Sequence, residues 1–152
     1  KKLKELGQKL GIITQEKKIL LQQLYCQNGH PLINPKNPKF DHKPGIELIC
    51  EGEKYRQTVY LSPFQGDSRK LFQKDYQKGE ELFLFCPVCE CRLPEISSHS
   101  CQFNAKYVAL FLDQNADIKN SVCICNIWGC YDSRINLSGK LITEVTSKSN
   151  TP

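Results

Sequence analysis

The chain has 152 residues, a formal charge of +5, 39% hydrophobic and 24% charged residues, which suits one domain or two small ones without a large core. No apolar run reaches the roughly 18 residues that span a bilayer, so no membrane segment is expected in this chain. Nine cysteines, an odd number, cannot all pair within one chain, and no signal peptide marks it for an oxidising compartment. Metal ligation is therefore favoured over a disulfide framework, and a cytoplasmic location is expected. The sequence contains no methionine and starts at Lys1 within a helical pattern, so it reads as a fragment of a longer protein that a signal or membrane segment could precede.

Residues 1–25 read as helix. Leu3, Leu6, Leu10, Ile13, Lys17, Leu20 and Leu24 follow the alternating three-four spacing of a coiled-coil seam, with Lys17 its one polar position. Gly7 and Gly11 oppose an unbroken helix, at about 1 kcal/mol each relative to alanine. Gly11-Ile12 resembles a helix end, with Thr14 capping a second helix over 15–24. The segment could join the chain to a second copy or another protein, or pack on its own domain. Residues 31–45 contain four prolines and a glycine and read as a loop. In 46–50, Ile46, Leu48 and Cys50 alternate onto one face of a strand, which makes Cys50 a core residue; 55–61 is its partner. Residues 62–67 form a loop, 71–76 are ambiguous, and 81–85 form a strand that delivers Cys86. Residues 92–100 read as loop, 106–113 and 121–128 as strands joined by a polar turn, and 139–145 as a last strand.

Phe85-Cys86-Pro87-Val88-Cys89 ends a strand in C-P-x-C, a tight turn that aims two sulfurs at one point, as a tetrahedral metal needs. The other half of that site is Cys26-Gln27-Asn28-Gly29-His30, where Asn28-Gly29 supplies a turn because both residue types tolerate positive φ. The first predicted ligand set is thus Cys26, His30, Cys86 and Cys89. The second is His99, Cys101, Cys125 and Cys130, with Cys91 a rival to His99 and Cys123 a further alternate. One Zn²⁺ in each set makes two per chain, and histidine in both favours zinc over iron. Each such site adds about one net negative charge relative to neutral thiols, so two take the formal +5 to about +3, a mild basic excess.

The C-P-x-C turn resembles those of zinc-ribbon proteins. The order of the chain is similar to a loosely defined group of uncharacterised bacterial proteins with a coiled-coil lead-in and two zinc-binding ribbons. The matching pieces are Cys26-Gln27-Asn28-Gly29-His30-Pro31-Leu32, Leu61-Ser62-Pro63-Phe64-Gln65-Gly66-Asp67, Cys86-Pro87-Val88-Cys89, and Ile124-Cys125 with Gly129-Cys130. The resemblance implies zinc and a ribbon fold but no activity. That group places a C-x-x-C turn near residue 98; here Ser98 stands at its first cysteine, and His99 or Cys91 would substitute.

The expected fold is therefore small α+β, mainly antiparallel β: a helical segment (1–25), a first zinc ribbon (26–90), a second ribbon-like unit (91–146) and a tail (147–152). The expected function is a non-catalytic, zinc-stabilised interaction module with a protein partner or self-association through residues 1–25. A nucleic-acid-binding ribbon is the second hypothesis, with Lys54-Tyr55-Arg56, Lys70-Leu71-Phe72 and Lys74-Asp75-Tyr76 as base-stacking candidates. A thiol redox or regulatory protein using Cys91 and Cys123 is the third. No nucleophile elbow, phosphate loop or HExxH helix points to an enzyme or a small-molecule substrate.

Overall fold

The computed structural model describes residues 12–15, 18–130, 133–137 and 140–142. In chain order the strands are β1 (Ile12–Gln15), β2 (Lys18–Leu21), β3 (Lys39–Phe40), β4 (Lys43–Pro44), β5 (Ile46–Glu51), β6 (Arg56–Leu61), β7 (Lys70–Leu71), β8 (Phe83–Phe85), β9 (Glu95–Ser98), β10 (Lys106–Phe111), β11 (Asn120–Cys125), β12 (Ser133–Leu137) and β13 (Lys140–Ile142). All pairings between them are antiparallel, and the described residues contain no helix, so none is long and apolar enough to cross a membrane.

The expected α+β class is thereby corrected to all-β. Where a helix was expected, β1 and β2 form a hairpin in the register Ile12↔Leu21 to Gln15↔Lys18. Ile12-Ile13-Thr14 is a run of β-branched residues directly after Gly11, and both features favour extended chain over helix. The hairpin is tied down by the Leu21 amide on the Pro63 carbonyl (2.9 Å) and the Gln65 amide on that of Ile19 (2.8 Å). Leu20 (4% exposed) and Leu24 (0%) belong to the core of their own chain and are not free to form a seam. Leu3, Leu6, Leu10 and Lys17 lie outside the described residues.

Two sheets carry the fold. The first has the order β7-β6-β5-β8 and the second β13-β12-β11-β10-β9. Strand β5 alternates as expected, with Ile46, Leu48 and Cys50 buried, and pairs with β6 from Ile46↔Leu61 to Glu51↔Arg56. In the second sheet β10 and β11 pair from Tyr107↔Cys125 to Phe111↔Ser121. Buried side chains of both sheets, with Leu24 and Leu32, make one hydrophobic cluster. Each large apolar side chain in it contributes about 1.5–3 kcal/mol by burial.

Three stretches differ from the expected elements. The 31–45 loop holds the β3–β4 hairpin, whose turn puts Asp41 (φ 49°) and His42 (φ 72°) in the left-handed region. The 92–100 loop contains β9, and the sequence pattern did not single out β12. Strand β9 (Glu95-Ile96-Ser97-Ser98) is a short polar edge, whereas β12 (Ser133-Arg134-Ile135-Asn136-Leu137) lies between β11 and β13 with Ile135 and Leu137 buried.

Candidate metal centres

The first centre is made by two turns brought together at the ends of both sheets. Tyr25 pairs with Phe111 at the end of β10, its amide on the Phe111 carbonyl (2.8 Å) and its carbonyl accepting from the Phe111 amide (2.9 Å). The chain then turns back: the Cys26 amide donates to the His30 carbonyl (3.0 Å) and the Gly29 amide to that of Cys26 (3.0 Å). Gly29, at φ +82°, supplies the left-handed residue of this turn; Asn28 is not in that region. The second turn leaves β8, with the Cys86 amide on the Cys91 carbonyl (3.0 Å) and the Glu90 amide on that of Cys86 (2.9 Å).

Both turns aim a backbone amide at their first sulfur: Asn28 N–H on Cys26 Sγ and Val88 N–H on Cys86 Sγ, each 3.3 Å. The ligand atoms of Cys26, His30, Cys86 and Cys89 all lie within 4.8 Å of one another and could hold a metal ion. Cys26 Sγ is 3.5 Å from His30 Nδ1 and 3.9 Å from Cys89 Sγ. A zinc tetrahedron with Zn–S near 2.3 Å and Zn–N near 2.05 Å has edges of about 3.6 Å (S–N) and 3.8 Å (S–S), close to these two separations.

The thiols resist sharing this space without a cation. Burial pushes Cys86 up to about 11, against the amides of Cys89 and Val88 that pull it down. Burial also raises Cys89, but the Asn28 side-chain amide and the Cys91 backbone amide outweigh it and bring that thiol to about 6. One thiolate forms easily and further negative charge beside it is opposed. A dication reverses the balance and takes the thiols as thiolates.

The second centre draws on three places in the second sheet. His99 follows β9 and its amide donates to the Ala105 carbonyl (3.0 Å), closing a loop that carries Cys101. Cys125 ends β11, and Cys130 follows the Trp128-Gly129 turn, where Gly129 has φ +95°. His99 Nδ1 is 3.3 Å from Cys125 Sγ and 3.8 Å from Cys130 Sγ, and Cys101 Sγ is 3.6 Å from Cys125 Sγ. All four ligand atoms again fall within 4.8 Å, a second group that could hold a metal ion. Burial raises the Cys125 thiol, and the neighbouring Cys130 and Cys101 raise it further. The His99 ring packs 4.5 Å from that of Tyr107, whose hydroxyl accepts from Arg134 Nε (2.6 Å).

The structure brings His99, and not Cys91, to Cys101, Cys125 and Cys130. Cys91 is exposed beside the first centre, where Asn28 Nδ2 donates both to it (3.4 Å) and to Cys89 Sγ (3.5 Å). Cys123 is buried in β11 opposite Ala109, outside either group. Cys50 is buried in β5, and burial pushes its thiol up to about 12, so it stays neutral. The role of Asn28 as donor to two thiols was missed from sequence, where an Asn-Gly pair signals only a turn.

The three basic-aromatic stretches converge on one face. Tyr55 stacks on Tyr76 (4.8 Å between centroids), Tyr76 meets Trp128 edge-on (5.1 Å), and Trp128 meets Phe72 edge-on (5.0 Å). Lys74 Nζ lies over Tyr55 (5.6 Å) and Lys70 Nζ over Trp128 (5.1 Å). Phe72 is the outer ring, 40% exposed. Asp41, beside His42 in the β3–β4 turn, is held by Arg69 at 2.8 Å.

No protein-family model, curated protein or solved structure matches this chain.

Proposed function

We propose that this chain is a non-catalytic binding module stabilised by two zinc ions, with a protein as its partner. What carries the proposal is the completeness of both ligand groups: each offers four N/S donors within 4.8 Å of one another, the number that fills the shell of a structural zinc and leaves no position for a substrate. Three sulfurs with one imidazole suit zinc, whereas iron is the rival chiefly at four-thiolate sites. Nine unpaired thiols, most of them grouped for metal, fit a reducing compartment such as the cytoplasm. Native mass spectrometry with elemental analysis of protein purified without added metal tests the proposal. It should give two zinc ions per chain. A ratio near one would remove the second centre, and a ratio near zero, with thiols pairing on mild oxidation, would refute the module.

A nucleic-acid partner is the second reading, favoured by one observation: the Tyr55–Tyr76–Trp128–Phe72 ladder with Lys70 and Lys74 over its rings. Phe72, 40% exposed, is the ring of that ladder most open to a base, and a stacked base contributes about 1–3 kcal/mol. Affinity for a single-stranded oligonucleotide that falls with salt and drops at least about fivefold in Phe72→Ala would support it. Absence of binding at 50 mM salt would leave the protein partner alone.

A further inference from the structure

Cys91 is the exposed cysteine that belongs to neither ligand group. It stands against Cys89 of the first centre. Asn28 Nδ2 donates to both sulfurs, at 3.4 Å to Cys91 and 3.5 Å to Cys89, which places them on one side of the turn. The two thiols also interact with each other directly. The residue between them sets this arrangement. Glu90 has φ 58°, in the left-handed region that a non-glycine residue seldom adopts. The Glu90 amide on the Cys86 carbonyl (2.9 Å) and the Cys86 amide on the Cys91 carbonyl (3.0 Å) fix it there. A residue of helical curvature, of either hand, sets the Cα atoms on its two sides about 5.4 Å apart, from the radius and rise of the helix. A disulfide takes Cα atoms roughly 4.4–6.8 Å apart. The turn therefore holds Cys89 and Cys91 at bridging distance.

Exposure decides which ligand an oxidant meets. Cys26 and Cys86 are 0% exposed, whereas Cys89 is partly exposed. As a zinc ligand Cys89 is a thiolate, the nucleophilic form of the side chain; here the inference rests on the zinc reading. The second centre has no counterpart to this pair. Its exposed ligand is Cys101, and Cys123, the cysteine of β11 outside the ligand group, is buried.

We propose that Cys89 and Cys91 are a site of reversible oxidation by hydrogen peroxide, which closes a Cys89–Cys91 disulfide and loosens the first zinc. The Cys89 thiolate attacks the peroxide: an S–O bond forms, the O–O bond breaks and hydroxide leaves. The Cys91 thiol then attacks the sulfenic sulfur: the S–S bond forms, the S–O bond breaks, and the hydroxyl departs as water with the thiol proton. One thiolate, one thiol and one hydrogen peroxide give one disulfide, one water and one hydroxide, and two electrons pass from sulfur to oxygen. The zinc keeps Cys26, His30 and Cys86 but loses its fourth ligand, so it is held more weakly. A dithiol reductant reopens the bond and restores the ligand. Cys91 thereby stops Cys89 at an oxidation level that can be reversed.

The zinc-loaded chain is treated with limiting hydrogen peroxide, its free thiols are blocked, and its peptides are mapped by mass. Glutamyl endopeptidase cuts after Glu90 and so separates Cys89 from Cys91; the peptides 82–90 and 91–95 should stay joined until they are reduced. Zinc counted after desalting should fall as this disulfide forms, and reduction with zinc present should return the count to its starting value. Cys91→Ser should start with two zinc ions, carry Cys89 on to the sulfinic acid, and regain zinc at least about fivefold less completely after reduction. The mapping on the native chain needs no variant, so a folding failure of Cys91→Ser leaves it decisive. Cys89 joined to Cys26 or Cys86, or recovery in Cys91→Ser equal to that of the native chain, would overturn the proposal. Zinc counted before the peroxide is added separates the failures: two ions without a Cys89–Cys91 disulfide refute this inference alone, whereas none refutes the metal centres on which it rests.

Discussion

Replacing Cys86 by serine removes one sulfur from the first centre and the acceptor of the Val88 amide. Cys86 is 0% exposed, so water cannot take the place of the lost ligand without opening the turn. The same turn anchors β8 to the following chain through the Cys86 amide on Cys91 and the Leu93 amide on Leu84 (2.8 Å). Structural zinc contributes about 10 kcal/mol or more to a small domain, and the net stability of a domain of this size is about 5–15 kcal/mol. Loss of the ion therefore removes about as much free energy as holds the fold together, and Cys86→Ser should unfold the region around the first centre. Cys50→Ser is the matched control. It places a hydroxyl in an apolar lining and costs about 1–3 kcal/mol, but it removes no ligand. Thermal melts with zinc counting on the same samples read both. Cys86→Ser should lose the cooperative melt and at least one zinc; Cys50→Ser should melt several degrees lower with two. Zinc released by Cys50→Ser and retained by Cys86→Ser would refute the assignment.

Chelator challenge should release one zinc quickly and one slowly, and the fast one should come from the second centre, because Cys101 is exposed whereas Cys26 and Cys86 are each 0% exposed; a chromogenic chelator with Cys101→Ser identifies the phase, and a surviving fast phase of full amplitude would contradict the order. Cys91→Ser and Cys123→Ser should each keep two zinc ions by elemental analysis, since neither sulfur belongs to a ligand group; loss of one would make that residue a ligand. Gly129→Ala should cost about 1–3 kcal/mol, because alanine is strained at φ +95° and its Cβ would fall 2.9 Å from Lys78 Cγ. In a melt it should lower the midpoint, and in the chelator assay it should speed release from the second centre, since Cys130 is the next residue.

The first centre was legible because its geometry is local. C-P-x-C and C-Q-N-G-H each fold two donors inward within one turn, whatever the surrounding sheet does. The second centre was only partly legible. His99 was the choice from sequence, but spacing left Cys91 as a rival. What separates them is Glu90 at φ 58°, which turns the chain so that the Cys91 carbonyl accepts from the Cys86 amide and its sulfur stays beside Asn28. No spacing rule carries that information. The strand pair 46–51 and 56–61 was readable from alternation, which survives because one face of β5 is buried. Within the described part of the N-terminal segment, residues 18–25, the leucine spacing misled for the converse reason. A leucine every three or four residues is also what a hairpin and its exit produce when tertiary contacts choose the buried positions, and Leu20 and Leu21, adjacent and both under 5% exposed, do not share a helix face. Strand β9 lacks an apolar run of its own and pairs because β10 offers it an edge, and β12 carries only two buried apolar positions, Ile135 and Leu137, too short an alternation to stand out.

Zinc K-edge X-ray absorption on the protein as purified tests the central claim most directly, because it reads the ligand shell without a substitution that could unfold the chain. Two Cys₃His centres predict an average of three sulfurs at about 2.3 Å and one nitrogen at about 2.0–2.1 Å around each zinc, with no water bound to it. A shell richer in oxygen or nitrogen, with two sulfurs or fewer per zinc, would contradict it.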